Sequence, residues 1–247
     1  MTLTLILLAT LISSALGLIG GLLLLAKKGL SESVSLSLVS FAAGTLLATA
    51  FLDLLPESIE LSQNPESVLP FVLTGVMIFF FIERYLLWFH HHHGKSDEET
   101  APSTSLILIG DTFHNFLDGV LVAGSFLVNP VLGLTTSAAI VLHEIPQEIS
   151  DFTVLLYGGM KKWRIVLYNL ISALAAVLGG LMGYFFLSSL TSLIPYSLAL
   201  GAGMFIYISC SDLIPEVHKS FRQKSALIQT LLFLGGVILI WVAKVYE

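Results

Sequence analysis

Long apolar runs separated by short polar breaks dominate the sequence. Each run is about 20 residues or longer, and at 1.5 Å of helical rise per residue it can cross a hydrocarbon core of about 30 Å. The eight runs cover residues 2–25, 34–58, 68–89, 104–127, 131–157, 163–187, 194–217 and 225–246. The pattern predicts an all-α membrane protein, with eight transmembrane helices in a single domain over 1–247.

Charged residues are scarce, and acidic ones outnumber basic ones. The chain carries 11 Lys+Arg and 17 Asp+Glu, so charged residues make up 11% of it, against about 25% in soluble domains. A net charge of −6 argues against nucleic-acid binding, which requires a basic face. The single cysteine, Cys210, excludes a disulfide framework and a thiolate metal cluster.

Basic residues concentrate in alternate loops. If the N-terminus lies outside, ten of the eleven Lys and Arg residues fall in inner loops, and only Lys244 lies elsewhere. The predicted outer connections at 58–67, 127–131 and 188–194 contain no basic residue. By the positive-inside rule we expect an integral protein of the cell (inner or plasma) membrane with both termini outside.

One hydrophilic stretch interrupts the apolar pattern on the predicted inner side. Residues 90–105 read HHHHGKSDEETAPSTS, which is too polar and too short to fold alone. The stretch is either a simple tether or a flexible, weak metal-binding tract, and His90–His93 could also be an inserted tag. Just before it, Glu83 is expected to pair with its neighbour Arg84.

Several landmarks recur at an offset of 159 residues. Three segments (20–22, 43–44 and 53–57) align with 179–181, 202–203 and 212–216, and the last pair reads DLLPE and DLIPE. The first repeat, 1–89, therefore resembles the second, 163–247, and the helices of 104–157 lie between them. Because the copies start five spans apart, they must have opposite orientations, as in the inverted repeats of transporters.

The central pair of predicted spans carries ionisable residues near the bilayer midplane. His114-Asn115-Phe116-Leu117-Asp118-Gly119 lies in one span and His143-Glu144-Ile145-Pro146-Gln147-Glu148 in the next. Residues i and i+4 share a helix face, so His114 points with Asp118 and His143 with Gln147. Imidazole and carboxylate without thiolate suit Zn²⁺ and related divalent metals.

The charge of this cluster also favours a divalent cation. Two neutral histidines with Asp118 and Glu144 carry a charge of −2, which a divalent ion neutralises. Further acids form a predicted pathway, with Asp53 at the outer approach and Asp111, Asp151 and Asp212 on the inner side. Pro146 lies within its span and is expected to bend the helix beside the site.

The two central motifs resemble those of the Zrt/Irt-like (ZIP) family of divalent metal transporters. The resemblance extends over nearly the whole chain: eight spans in a 3+2+3 arrangement and a His-containing loop between spans 3 and 4. It implies a first metal site from His114, Asp118, His143 and Gln147. A neighbouring second site would use Asn115 and Glu144, with Glu148 beside them.

Two positions depart from the family pattern. Position 147 is Gln where other members have His or Glu, so the affinity or metal preference is expected to differ. A span 6 carboxylate found in some members is replaced here by Asn169 or Ser172, and we place Ser172 on the pathway. The family implies Zn²⁺ as substrate, with Fe²⁺, Mn²⁺ and Cd²⁺ as further candidates.

These features predict metal transport toward the cytoplasm by alternating access, with no enzymatic activity. The expected partners are a divalent metal ion and the lipid bilayer, and we also allow for a homodimer. One alternative is an intramembrane metalloprotease, because His143-Glu144 begins like the motif H-E-x-x-H, although Gln147 occupies the position of its second histidine. The other is a membrane metal-binding protein without transport, which would not need two inverted halves.

Overall fold

The helices of the protein follow the predicted apolar segments closely. A computed structural model describes residues 1–25, 32–92, 104–157, 159–219 and 223–245. Within these ranges the chain contains helices and no strand. The α-helices are α1 (Thr2–Leu25), α2 (Glu32–Ala48), α3 (Leu55–Ser62), α4 (Pro65–His92), α5 (Thr104–Val128), α6 (Pro130–Tyr157), α7 (Lys162–Ser189), α8 (Ile194–Ile208), α9 (Ile214–Lys219) and α10 (Gln223–Val245).

Two π-helical turns each join two consecutive α-helices into one continuous helix. Thr49–Leu54 joins α2 to α3, and Ser209–Leu213 joins α8 to α9. Each turn ends just before a proline, Pro56 or Pro215. A proline has no N–H to donate and its ring clashes with the carbonyl of residue i−4, so the wider turn lets the helix continue. The described chain thus forms eight helical runs at the positions of the eight predicted segments.

Six of these runs are long and apolar enough to cross a membrane. They are Thr2–Leu23, Leu36–Ser62, Pro65–Arg84, Lys162–Ser189, Thr191–His218 and Ala226–Val245. Helices α5 and α6 are not among them, because polar motifs interrupt their apolar surfaces. The predicted polar loop at 90–105 is shorter than expected: 90–92 continue α4, 104–105 begin α5, and 93–103 lie outside the described residues. Helix α6 runs unbroken through position 146.

The helices pack in two groups. Helices α1, α5, α6 and α7 contact one another, while α2 packs on α10 and α4 packs on α8. A shared apolar core lies where the groups meet, formed by fully or almost fully buried side chains such as Leu46, Leu121, Leu132, Leu198 and Phe205. The polar motifs of α5 and α6 lie beside this core, where other helices cover them.

Glycines bring some helix backbones into direct contact. A Cβ added to Gly119 of α5 would clash with the carbonyl oxygen of Ala176 in α7, and one added to Gly179 would clash with that of Phe116. Two helices can approach this closely only where no side chain separates them. The close α5–α7 contact leaves the polar face of α5 free to turn toward α6.

Two adjacent glycines of α10 allow a matched test of this packing. A Cβ at Gly236 would clash with the carbonyl oxygen of Phe41, whereas one at Gly235 would meet nothing nearer than 3.8 Å. We expect Gly236→Ala to lower the free energy of unfolding by about 1–3 kcal/mol. Gly235→Ala should leave it unchanged or raise it, because alanine favours helix. Thermal unfolding in detergent measures the stability of both variants. Equal melting temperatures for Gly236→Ala and Gly235→Ala would contradict the observed contact.

Candidate metal centre

Four ionisable side chains from α5 and α6 converge in the interior. Helix α5 supplies His114 and Asp118, one turn apart, and α6 supplies His143 and Glu144. Their relative exposures are 7%, 1%, 0% and 3%, respectively. One ligand atom from each residue lies within 4.8 Å of all the others. Such burial of four ionisable groups is costly unless they pair or bind a cation.

The separations within this cluster match the size of a four-coordinate site. The Nε2 atoms of His114 and His143 are 3.0 Å apart. Asp118 Oδ2 lies 3.5 Å from His114 Nε2 and 3.2 Å from His143 Nε2. Glu144 Oε1 lies 3.6 Å from His114 Nε2 and 3.9 Å from His143 Nε2. A tetrahedron with zinc–ligand bonds of 2.0–2.1 Å has edges of about 3.3 Å, so little movement would complete the coordination.

The protonation of His143 suits metal binding. Its Nδ1 lies 3.1 Å from the carbonyl oxygen of Ala139. A carbonyl oxygen can only accept, so Nδ1 carries the proton and donates it. In the neutral ring Nε2 is therefore the nitrogen without a proton, and it faces the cluster. A backbone hydrogen bond of this kind commonly orients a metal-binding histidine.

Several carboxylate oxygens near the cluster lack hydrogen bonds. Within the described part of the chain, Asp118 Oδ1 is buried without a hydrogen-bond partner, and the buried Asp118 Oδ2 and Glu144 Oε1 have only the two histidine nitrogens close by. Buried polar atoms are normally satisfied, and a divalent cation would satisfy these oxygens together. The charge of −2 on Asp118 and Glu144 would also be neutralised.

The two amide side chains of the motifs face a different carboxylate. Asn115 Nδ2 donates to Asp111 Oδ1 at 2.9 Å, and Gln147 Nε2 donates weakly to the same oxygen at 3.4 Å. Glu144 is thus one of the four converging ionisable residues, and the Gln147 amide lines the same cavity as the two histidines. Gln147 lies next to the cluster and contacts Asp111.

Glu148 lies apart from the four converging residues. It is 1% exposed, and neither of its carboxylate oxygens has a hydrogen-bond partner among the described residues. A Cβ added to Gly17 of α1 would lie 3.6 Å from Glu148 Cγ and 3.3 Å from Glu144 Cβ. The two glutamates therefore both pack against α1.

A cavity of about 520 Å³ extends from one side of the cluster. His114 and His143 line it, together with three predicted pathway residues, Asp111, Asp151 and Asp212. It continues to the exposed Glu216 of α9. These acids lie toward the start of α5 and the ends of α6 and α9, so the cavity leads to the side of the predicted inner loops.

The other two pathway residues lie outside this cavity lining. Asp53 is completely buried within the π-helical turn after α2. Ser172 of α7 is 1% exposed and lies beside Asp111. Among the described residues, the cavity thus gives the cluster a polar path that Asp111, Asp151 and Asp212 line.

The sequence prediction missed one acidic residue of the cavity wall. Glu83 lines the cavity and accepts a hydrogen bond from the Tyr207 hydroxyl, so the expected pairing of Glu83 with Arg84 is not the contact observed. Arg84 is exposed. The signal that could have indicated this role is an acid near the end of an apolar span, on the same helix face as Phe79 one turn earlier.

Comparisons with known proteins agree with this chemistry. The sequence model of the family described as ZIP Zinc transporter matches residues 2–105 and 90–244. Zinc transporter foi of Drosophila melanogaster is 37% identical over 145 residues, covering 58% of this chain and 20% of that protein. Zinc transporter ZIP13 of Pongo abelii is 32% identical over 221 residues, covering 81% of this chain and 64% of that protein.

A third relative carries a broader name. Metal cation symporter ZIP8 of Rattus norvegicus is 36% identical over 119 residues, covering 48% of this chain and 25% of that protein. The chain spans less than two thirds of the length of each of these three relatives.

Removing one carboxylate should separate metal binding from folding. Asp118→Asn removes a charge and an anionic ligand from the cluster while preserving side-chain size. We expect Zn²⁺ at a hundredfold excess over its Kd to stabilise the original protein by about 2.7 kcal/mol and the variant far less. Thermal unfolding with chelator and with Zn²⁺ measures the difference. Glu66→Gln, at an exposed acid, is the control, and an undiminished Zn²⁺ shift in Asp118→Asn would contradict this role.

Proposed function

Because the chain belongs to the ZIP zinc transporter family, we propose that it moves divalent metal, with Zn²⁺ as the main substrate, across a membrane into the cytoplasm. The observation that carries this proposal is the buried cluster of His114, Asp118, His143 and Glu144. It supplies two nitrogen and two oxygen ligands in the interior of a bundle of apolar helices.

The ligand chemistry favours zinc among the transition metals. Neutral imidazoles and carboxylates, without a thiolate, suit Zn²⁺ in a four-coordinate site. Fe²⁺, Mn²⁺ and Cd²⁺ are secondary substrates on the same grounds. Two of the relatives are named for zinc and the third for metal cations, which supports this order.

We propose that all eight helical runs span the membrane in a 3+2+3 order, with both termini outside. Helices α5 and α6 can cross lipid despite their polar motifs, because their ionisable groups face protein or the cavity. His143, Asp118 and Glu144 are at most 3% exposed. The concentration of Lys and Arg in alternate loops supports the orientation.

Matched backbone contacts support the inverted repeat. The clash of an added Cβ at Gly44 with the Phe233 carbonyl has a counterpart at Gly203 with the Val72 carbonyl. The α2–α10 and α4–α8 pairs are therefore built alike. Likewise α1–α6 corresponds to α7–α5, which is the relation that a pseudo-two-fold axis in the membrane plane would produce.

Alternating access follows from the two helix groups. We propose that α1, α5, α6 and α7 carry the metal centre and shift against the group containing α2, α4, α8 and α10. The cavity leads from the centre toward the loops that we propose are cytoplasmic, so the described conformation would be open to the inside. Near the predicted outer connections, a buried hydrogen bond of 2.6 Å from the Ser58 hydroxyl to the Pro195 carbonyl would help to close the other side.

The pathway acids would receive the ion in sequence. The outer approach is Asp53, within the π-helical turn after α2, while Asp212, in the corresponding turn after α8, belongs to the inner cavity. Toward the inside, Asp111 accepts a hydrogen bond from Asn115, the neighbour of His114 in the sequence. Asp151 lines the same cavity. Ser172 contributes a hydroxyl beside Asp111. Successive carboxylates let a cation leave one ligand set while it enters the next.

The two alternative functions receive no support from the site. A metalloprotease of the H-E-x-x-H type needs a second histidine, and Gln147 instead donates to Asp111. A protein that only binds metal would not require the matched contacts between two inverted halves.

Transport can be measured directly in liposomes. Full-length protein should admit Zn²⁺ to a fluorescent indicator, and His114→Ala and Asp118→Ala should each lower the rate about tenfold or more, because each removes a ligand. Glu60→Ala, at an exposed acid outside the pathway, should retain the original rate. Undiminished flux in both ligand variants would exclude the proposed site, and comparable gel-filtration profiles confirm that all variants are folded.

Position 147 should tune the metal preference. We expect Gln147→His to raise Zn²⁺ affinity by about tenfold, because an imidazole next to the cluster is a better ligand than an amide. Calorimetric titrations with Zn²⁺ and Cd²⁺ measure affinity and selectivity. If both titrations match those of the original protein, position 147 does not contact the ion.

A further inference from the structure

The two histidines of the centre are held in different ways. His143 Nδ1 donates to the Ala139 carbonyl at 3.1 Å, within its own helix. His114 has no corresponding hydrogen bond at Nδ1 among the described residues, and its Nε2 faces the cluster. Metal-binding histidines usually have their second nitrogen anchored, so another contact must set the orientation of the His114 ring.

Phe79 supplies that contact. Its ring centroid lies 5.2 Å from that of His114, with the planes inclined at 69°, which is the favourable edge-to-face arrangement. Phe79 is only 7% exposed and belongs to the apolar core. It lies on α4, which packs chiefly on α8 and therefore belongs to the other helix group.

A second phenylalanine makes the matching contact with His143. The centroid of Phe205, on α8, lies 5.7 Å from that of His143 at an interplanar angle of 66°. His143 is therefore oriented twice, by Phe205 and by its own backbone bond. His114 has only Phe79, apart from its contacts within the cluster itself.

We propose that Phe79 is a positioning residue that orients the His114 imidazole toward the metal centre in the conformation open to the inner cavity. The aromatic edge restricts rotation of the ring and keeps Nε2 directed toward Asp118 and His143. Without the Phe79 ring, the His114 imidazole is free to rotate into the adjoining cavity, which Phe79 and His114 both line. His114 would then be the weaker of the two nitrogen ligands.

The placement of Phe79 links ligand geometry to access. This part of the inference rests on the proposed function. When α5 and α6 shift against α4 and α8, His114 loses Phe79, whereas His143 keeps its hydrogen bond because Ala139 moves with it. The metal affinity of the centre therefore changes when the helix groups shift, because the orientation of His114 changes.

The test uses Co²⁺ as a spectroscopic probe on the full-length protein in detergent. We expect Phe79→Leu to weaken Co²⁺ binding about tenfold and to alter its d–d absorption bands, because one nitrogen ligand is lost or displaced. Phe79→Tyr keeps an aromatic edge and should bind within about twofold of the original protein. Phe80→Leu, at the next position on the same helix and 45% exposed, should also remain within about twofold.

The outcomes separate this inference from the proposed function. If a folded Phe79→Leu variant binds Co²⁺ with the affinity and spectrum of the original protein, the positioning role is overturned, even if the original protein transports Zn²⁺. Altered binding in Phe79→Leu, with no Zn²⁺ uptake by the original protein in liposomes, would uphold the positioning role and reject transport. Should Phe79→Leu fail to fold in the presence of chelator, Phe79→Met removes the ring at similar volume and is judged by the same spectrum and affinity.

Discussion

The burial of charge within an apolar helix bundle is the constraint on which the other features depend. Asp118, His143 and Glu144 are at most 3% exposed, and buried carboxylates without hydrogen bonds are unfavourable in any apolar surrounding. Helices α5 and α6 must therefore be enclosed by other helices rather than by lipid. The glycine contacts of α5 with α7 provide that enclosure, because they permit backbones to meet on the side away from the cluster.

The same constraint explains why polar access lies on one side only. Asp53 and Asp212 occupy corresponding places in the two aligned segments, yet Asp53 is completely buried and Asp212 is exposed at the cavity. Similar local sequences thus have opposite environments, because one end of the bundle is packed and the other is open. In the proposed transport cycle, an exchange of these two environments would turn the inward-open conformation into an outward-open one.

Much of the fold could be predicted from the sequence, since apolar length and polar breaks determine where membrane helices begin and end. The i, i+4 rule also placed His114 and Asp118 on one face. On α6 the rule grouped His143 with Gln147, and in the structure Glu144 joins the cluster of four while Gln147 donates to Asp111. The rotation of α6 about its axis decides this, and that rotation depends on packing against α1, where Gly17 contacts Glu144 and Gly20 contacts Ile145.

By itself the sequence determined the helical class, the positions of the helical runs, the chemistry of the central motifs and the 159-residue offset. These follow from local hydrophobicity and residue type, which the chain carries along its length. Only the tertiary structure decided which ligands converge, which end of the bundle is open, and that Glu83 meets Tyr207 and Phe79 meets His114. Those contacts join helices distant in sequence, and their geometry depends on helix rotation and close backbone packing, which no local pattern specifies.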